Sequence, residues 1–175
     1  MTTTSALLQD GFDRVGQTVH GAIDGLSSDT MATQLEPGTN SIAWLVWHLT
    51  RVQDDHVAAV AGTEQVWTAN GQHERSWRDR FALPFEAAAI GYGFSAEEMA
   101  LVRDVDADQL AGYYDDVHAA TQQFLSTLSD GDLDRVVDEN WDPPVTLAVR
   151  LVSVLNDDLQ HAGQAALIRG VLERR

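Results

Sequence analysis

The stretch Asn156-Asp157-Asp158-Leu159-Gln160-His161-Ala162-Gly163-Gln164 lies inside a run from about 146 to 172 whose spacing predicts one long helix. On a helical wheel His161 points the same way as Val154, Ala165, Ile168 and Leu172, the stripe a helical domain buries. Asp157 precedes it by four residues, so a carboxylate and an imidazole share one face, a turn apart. Charged groups on a buried stripe cost several kcal/mol unless they are paired or hold a metal. A metal site is the most economical resolution, and it requires a further ligand from elsewhere in the chain.

That ligand is expected at His48. Residues 41–61 form the most apolar segment, introduced by Leu35-Glu36-Pro37-Gly38-Thr39-Asn40, a turn, with Asn40 or Ser41 as N-cap. The stripe predicted to be buried there holds Ile42, Trp44 or Leu45, His48, Val52 and Ala59. Asp55 shares the face of His48 but lies two turns away, about 10 Å by helix rise, too far for the same ion. Asp54 and Asp55 read as a solvated helix end. Two further helices are expected at about 5–26 and 108–128, the first weakened by Gly11, Gly16 and Gly21. Between 62 and 104 the periodicity fades, leaving short helical candidates at about 74–81 and 95–103. The aromatics Trp67, Trp77, Phe81, Phe85, Tyr92 and Phe94 are expected to cover one end of the molecule. With no repeat and no linker, residues 1–175 read as a single all-α domain, a four-helix bundle with a long irregular crossover between the second and third helices.

Composition removes several classes of function. Twenty-seven acidic residues face 11 basic ones, all arginine, for a formal charge of −16. Such a surface repels phosphate backbones and anionic membranes, so neither nucleic acid nor a lipid surface is an expected partner. No apolar run approaches the roughly 20 residues that span a bilayer, and the first residues lack a signal-peptide pattern, which points to the cytoplasm. With no cysteine there is no disulfide, thiolate ligand or cysteine nucleophile. The acidic runs 104–108 and 130–134 lack the twelve-residue loop and terminal Glu of a calcium hand, and read as turns and helix N-termini. His20, His73 and His118 read as solvent-facing or edge residues, and Tyr113 and Tyr114 as core and edge packing with a hydroxyl in possible reach of the site.

The candidate donors are therefore His48, Asp157 and His161. Imidazole and carboxylate suit Zn²⁺, Ni²⁺, Fe²⁺ or Mn²⁺, and three protein ligands leave a position open for water or substrate. The alternative for either histidine is a core residue bonded to a backbone carbonyl. Asp158 competes with Asp157, since Asp158-x-x-His161 has the spacing of di-iron bundles, but those sites need inward glutamates that the other helices do not offer.

Residues 35–49, the irregular middle and Asp157-x-x-x-His161-x-Gly163-Gln164 together resemble the DinB-like superfamily, closest to its branch related to mycothiol- and bacillithiol-dependent transferases. The resemblance implies a divalent metal, Zn²⁺ or Ni²⁺, held by His48 and His161, with Asp157 where the family usually has histidine. It implies transfer of a low-molecular-weight thiol such as mycothiol to a small electrophile, a detoxification chemistry. Arg51, Trp77 and Arg80 are the weakest candidates, for shaping the thiol pocket. Two rival functions are a metal-dependent hydrolase and a non-enzymatic, stress-associated metal-binding bundle. The partner expected is a small molecule, and a homodimer is compatible with the class.

Overall fold

A computed structural model describes residues 2–71 and 74–175, so His73 lies outside the described residues. The first helix, α1 (Thr4–Ile23), starts at Thr3, whose hydroxyl accepts the N–H of Ala6. It stops short of the expected Leu26 because the chain turns away at Gly25, at φ 70°, which glycine adopts without a Cβ penalty. A single turn, α2 (Ser28–Met31), follows. α3 (Ile42–Ala61) is bounded by Ser41, which caps the N–H of Trp44, and by Gly62 in the left-handed conformation, close to the predicted limits. The crossover carries α4 (Trp77–Phe81) and α5 (Ala96–Met99), both shorter than expected. Asp106 and Gln109 form a capping box that opens α6 (Ala107–Ser126), so this acidic run is a helix start. A 3-10 turn at Asp130–Asp134 leads into a small antiparallel hairpin, β1 (Val136–Asp138) and β2 (Val145–Thr146), which the Asp-Pro-Pro sequence did not suggest. α7 (Leu147–Leu172) closes the fold, capped by Thr146.

The architecture is all-α. α1 packs on α6 and α7, and α3 packs on α6 and α7, which makes a four-helix bundle of the DinB-like type. Two apolar clusters fill it. The larger gathers Val15, Val19, Trp47, Leu110 and Ala165 with the crossover aromatics, and the smaller joins Phe12, Leu125, Leu151 and Val154. Among the described residues no helix is long and apolar enough to cross a membrane.

α3 is buried on every side from Ile42 to Asp54, not along one stripe. A helix apolar all round belongs in an interior, and here the crossover folds back over the face that the other helices leave open. Ala59, expected inside, lies beyond that cover and is exposed. Trp67, Trp77 and Phe81 are buried, with Phe85 and Phe94 packed against them, but Tyr92 is 89% exposed.

Arg51 is the fastener. Fully buried, it donates to the carbonyls of Ala87 and Ala89, to Gln65 Oε1, to Tyr113 Oη and to Asp54. Asp54, read from sequence as solvated, is only 3% exposed. It accepts from the N–H groups of Val66 and Trp67 and from the Tyr113 hydroxyl. Desolvation raises its pKa despite these hydrogen bonds and the Arg51 charge. Helix spacing placed Asp54 near a C-terminus; the loop that covers it could not be read from spacing.

Candidate metal centre

His48 on α3 and Asp157 and His161 on α7 come together across the α3–α7 seam. Each offers a donor atom, and the three atoms lie within 4.8 Å of one another. The imidazole rings meet edge to face with centroids 4.9 Å apart, and His161 Nε2 is 3.6 Å from Asp157 Oδ1.

Both rings are oriented through their other nitrogen. His48 Nδ1 bonds the carbonyl of Ile90, and His161 Nδ1 bonds Gln164 Oε1 at 3.2 Å. A ring that donates through Nδ1 presents the lone pair of Nε2, the state a metal requires. Asp157 Oδ2 is buried and lacks a hydrogen-bond partner. Two imidazole nitrogens and a carboxylate oxygen, with one oxygen still unsatisfied, fit a divalent cation of the borderline class.

The surroundings are asymmetric. His48 is 5% exposed, whereas the side chains of His161 and Asp157 are 18% and 36% exposed. The candidate centre is thus buried on the α3 side and partly exposed on the α7 side. Trp44 lies flat on His48, with ring centroids 4.5 Å apart and planes 14° off parallel, and meets His161 edge-on. Gly91, at φ 90°, passes so close that a Cβ there would sit 2.7 Å from His48 Nδ1 and 3.1 Å from the Trp47 ring. Trp44 stands four residues before His48, a spacing that could have revealed it. Gly91 left no such signal, because its role follows from where the crossover returns.

Burial lowers the pKa of His48, partly offset by the Ile90 bond. His161 is raised by its contact with Asp157, against desolvation. Desolvation pushes Asp157 up, but the combined pull of His161, His48 and His56 leaves it below the usual carboxylate range.

Asp158 takes no part in this cluster. It is fully buried and neither carboxyl oxygen has a hydrogen-bond partner. The centre of the buried stripe on α7 runs through Leu147, Leu151, Val154, Asp158, Ala162 and Ala165, which puts His161 and Asp157 at its α3 edge. Desolvation, with the nearby Asp157 charge, raises the Asp158 pKa well above the carboxylate range. The folded protein therefore holds a proton that the unfolded chain releases. Its stability contribution is complete below about pH 4 and is lost as pH climbs toward the folded value. Asp158→Asn, which cannot ionise, is expected to match the wild type near pH 4 and to melt a few degrees higher at pH 8. Parallel melting curves at both pH values check this, and equal Tm differences at the two would refute it.

The other candidates lie elsewhere. Arg51 serves the crossover clamp. Trp77 is buried and donates to Asp116 on α6, with Arg80 stacked over its ring at 3.6 Å. The Tyr113 hydroxyl is committed to Asp54, and that of Tyr114 faces the carbonyl of Phe12. His20 and His118 pair with Asp115 and Asp13 at the bundle edge.

A model of the family described as Mycothiol-S-transferase matches residues 7–174. Among solved structures, a crystal structure described as the conserved protein of a locus from Enterococcus faecalis is similar to this chain, with a TM-score of 0.89 and 27% identity over 100% of both chains. No curated protein matches the chain significantly.

Proposed function

The chain belongs to the mycothiol-S-transferase family, and we propose from that premise that it is a metal-dependent transferase joining a low-molecular-weight thiol of the mycothiol type to small electrophiles. The observation that supports this most directly is the half-open set His48, Asp157 and His161 in a chain that has no cysteine. The sulfur must then arrive with a co-substrate, and the donor set offers a place for it.

A bound divalent cation, Zn²⁺ or Ni²⁺, would supply positive charge that lowers the pKa of a nearby thiol. The protein's own part is positional. The Ile90 carbonyl and Gln164 fix the two rings, so little reorganisation is needed when the donors are engaged. Trp44 shields His48 from water on one side, and the lower dielectric there strengthens each charge interaction. The thiol and the electrophile would approach from the α7 side, where His161 and Asp157 are partly exposed. In the reaction the thiol loses its proton, an S–C bond forms, and the electrophile either takes up a proton or releases its leaving group. Such thiols are kept reduced in the cytoplasm, where the protein is placed by this reading.

Turnover of monochlorobimane with mycothiol, bacillithiol or glutathione, with and without chelator, tests the assignment. The expected result is protein-dependent conjugation with at least one sugar thiol, abolished by chelator and restored by added metal. Rates equal to the protein-free control for all three thiols would overturn it. Metal-dependent hydrolysis without any thiol would favour the hydrolase instead.

A further inference from the structure

Two arginines break the acidic surface at one place beside the candidate metal centre. A cavity of about 320 Å³ is lined by His56 and Val60 of α3, by Arg135 and Val137 at the hairpin, and by Arg150 of α7. None of its lining residues is acidic, in a chain with 27 carboxylate side chains.

The polar groups of this cavity are arranged as donors. Arg150 Nη2 donates to Asp138 at 2.9 Å, and its Nη1 lies 3.4 Å from His56 Nδ1. Arg135 Nη2 donates to the Val60 carbonyl. Among the described residues no carboxylate comes within ion-pairing distance of Arg135, although its charge is felt at Asp132. Asp138 offsets Arg150, and Asp55 lies 3.6 Å from His56, outside the lining. That leaves one guanidinium without an ion-pair partner among the described residues, in a recess where His56 and Arg150 also present nitrogen groups between apolar Ala59, Val60, Val136 and Val137. A guanidinium fork matches a carboxylate in shape and charge.

The position gives this pocket its meaning. His48 faces His161, and His56 faces Arg150, so α3 and α7 run antiparallel and the pocket lies further along the same seam. Arg150 precedes Asp157 by seven residues on α7, about 10 Å by helix rise. His56 and Asp157 are close enough to perturb one another electrostatically.

We propose that the His56–Arg135–Arg150 pocket binds the carboxylate of a substrate whose reacting atom sits at the His48–Asp157–His161 centre about 10 Å away. The proposal rests on the thiol-transfer reading for the reacting end and names the substrate class: a small molecule with an anionic group one short chain from its reactive atom. The carboxylate can belong to the electrophile or to the thiol, as bacillithiol carries carboxylates and mycothiol does not.

Direct binding tests the pocket without turnover. Metal-free protein is titrated with succinate while the Arg150 side-chain N–H resonance, present in every variant compared, is followed by NMR. Saturable binding in the millimolar range is expected, about tenfold weaker in Arg135→Gln and unchanged in Arg14→Gln on the far helix α1. Absence of a saturable shift, or equal affinity in Arg135→Gln, overturns the proposal. Kinetics then identify the source. A carboxyalkyl maleimide is compared with its methyl ester, and bacillithiol with mycothiol. A KM about tenfold lower for the carboxylate-bearing member of one pair, lost in Arg135→Gln, assigns the anion to that substrate. Turnover with neither contrast overturns the proposal. Succinate binding without any turnover instead removes the thiol-transfer reading and leaves the anion pocket standing.

Discussion

Asp54→Ala is expected to lower the unfolding free energy by about 3–5 kcal/mol, the range for leaving one member of a buried ion pair without its partner. The Arg51 guanidinium is fully buried and would lose the carboxylate 3.3 Å away. The Val66 and Trp67 amides and the Tyr113 hydroxyl would lose their acceptor at the same time. The crossover would loosen where it covers α3, and the Ile90 carbonyl that orients His48 belongs to that same segment. Asp55→Ala, one residue on and about a third exposed, should cost no more than about 1 kcal/mol. Urea titrations of the two variants give the comparison, and equal losses would show that the Arg51–Asp54 clamp is not what holds the crossover. Replacing both partners, Arg51→Met with Asp54→Leu, should recover part of the loss, because no unpaired charge is then buried.

Metal affinity should respond as steeply to the donors. One equivalent of Zn²⁺ is expected to bind the wild type, and His48→Ala or His161→Ala should weaken it by more than about 100-fold, the upper end of what losing only a supporting group costs. Gly91→Ala should give an intermediate loss, about 10–100-fold, because its new methyl group would push on His48 Nδ1 without removing a donor. Competition titration against a chromophoric chelator, with a melting curve for each variant, separates lost donors from lost folding. Wild-type affinity in both histidine variants would remove the proposed centre. Asp157→His tests the carboxylate: it should keep a three-donor site while changing its preference among metals.

Much of the candidate site's geometry was legible because helix spacing is a local property. His48, Asp157 and His161 each stand where period 3.6 puts a polar residue against a bundle seam, and an unpaired polar group in such a place needs a reason. Asp158 shows the limit of that reading. Its wheel position lies closer to the middle of the buried stripe than that of His161, yet it faces the core and meets nothing that can bond it. Spacing ranks both as inward and cannot say which one meets another helix's donor.

Four long helices, their order, the irregular crossover and the two histidines that meet across the seam are written in local pattern, because amphipathic period and capping residues act within a few positions of themselves. Tertiary structure alone decided that Asp54 is buried, that Arg51 clamps the crossover, that Gly91 must lack a side chain, and that Arg135 and Arg150 share a pocket. Each of these depends on where a stretch without periodicity, the crossover or the hairpin, comes to rest against a helix distant in the chain. Nothing within a few residues of those positions specifies that contact; it is fixed when the bundle closes and buried groups must find partners.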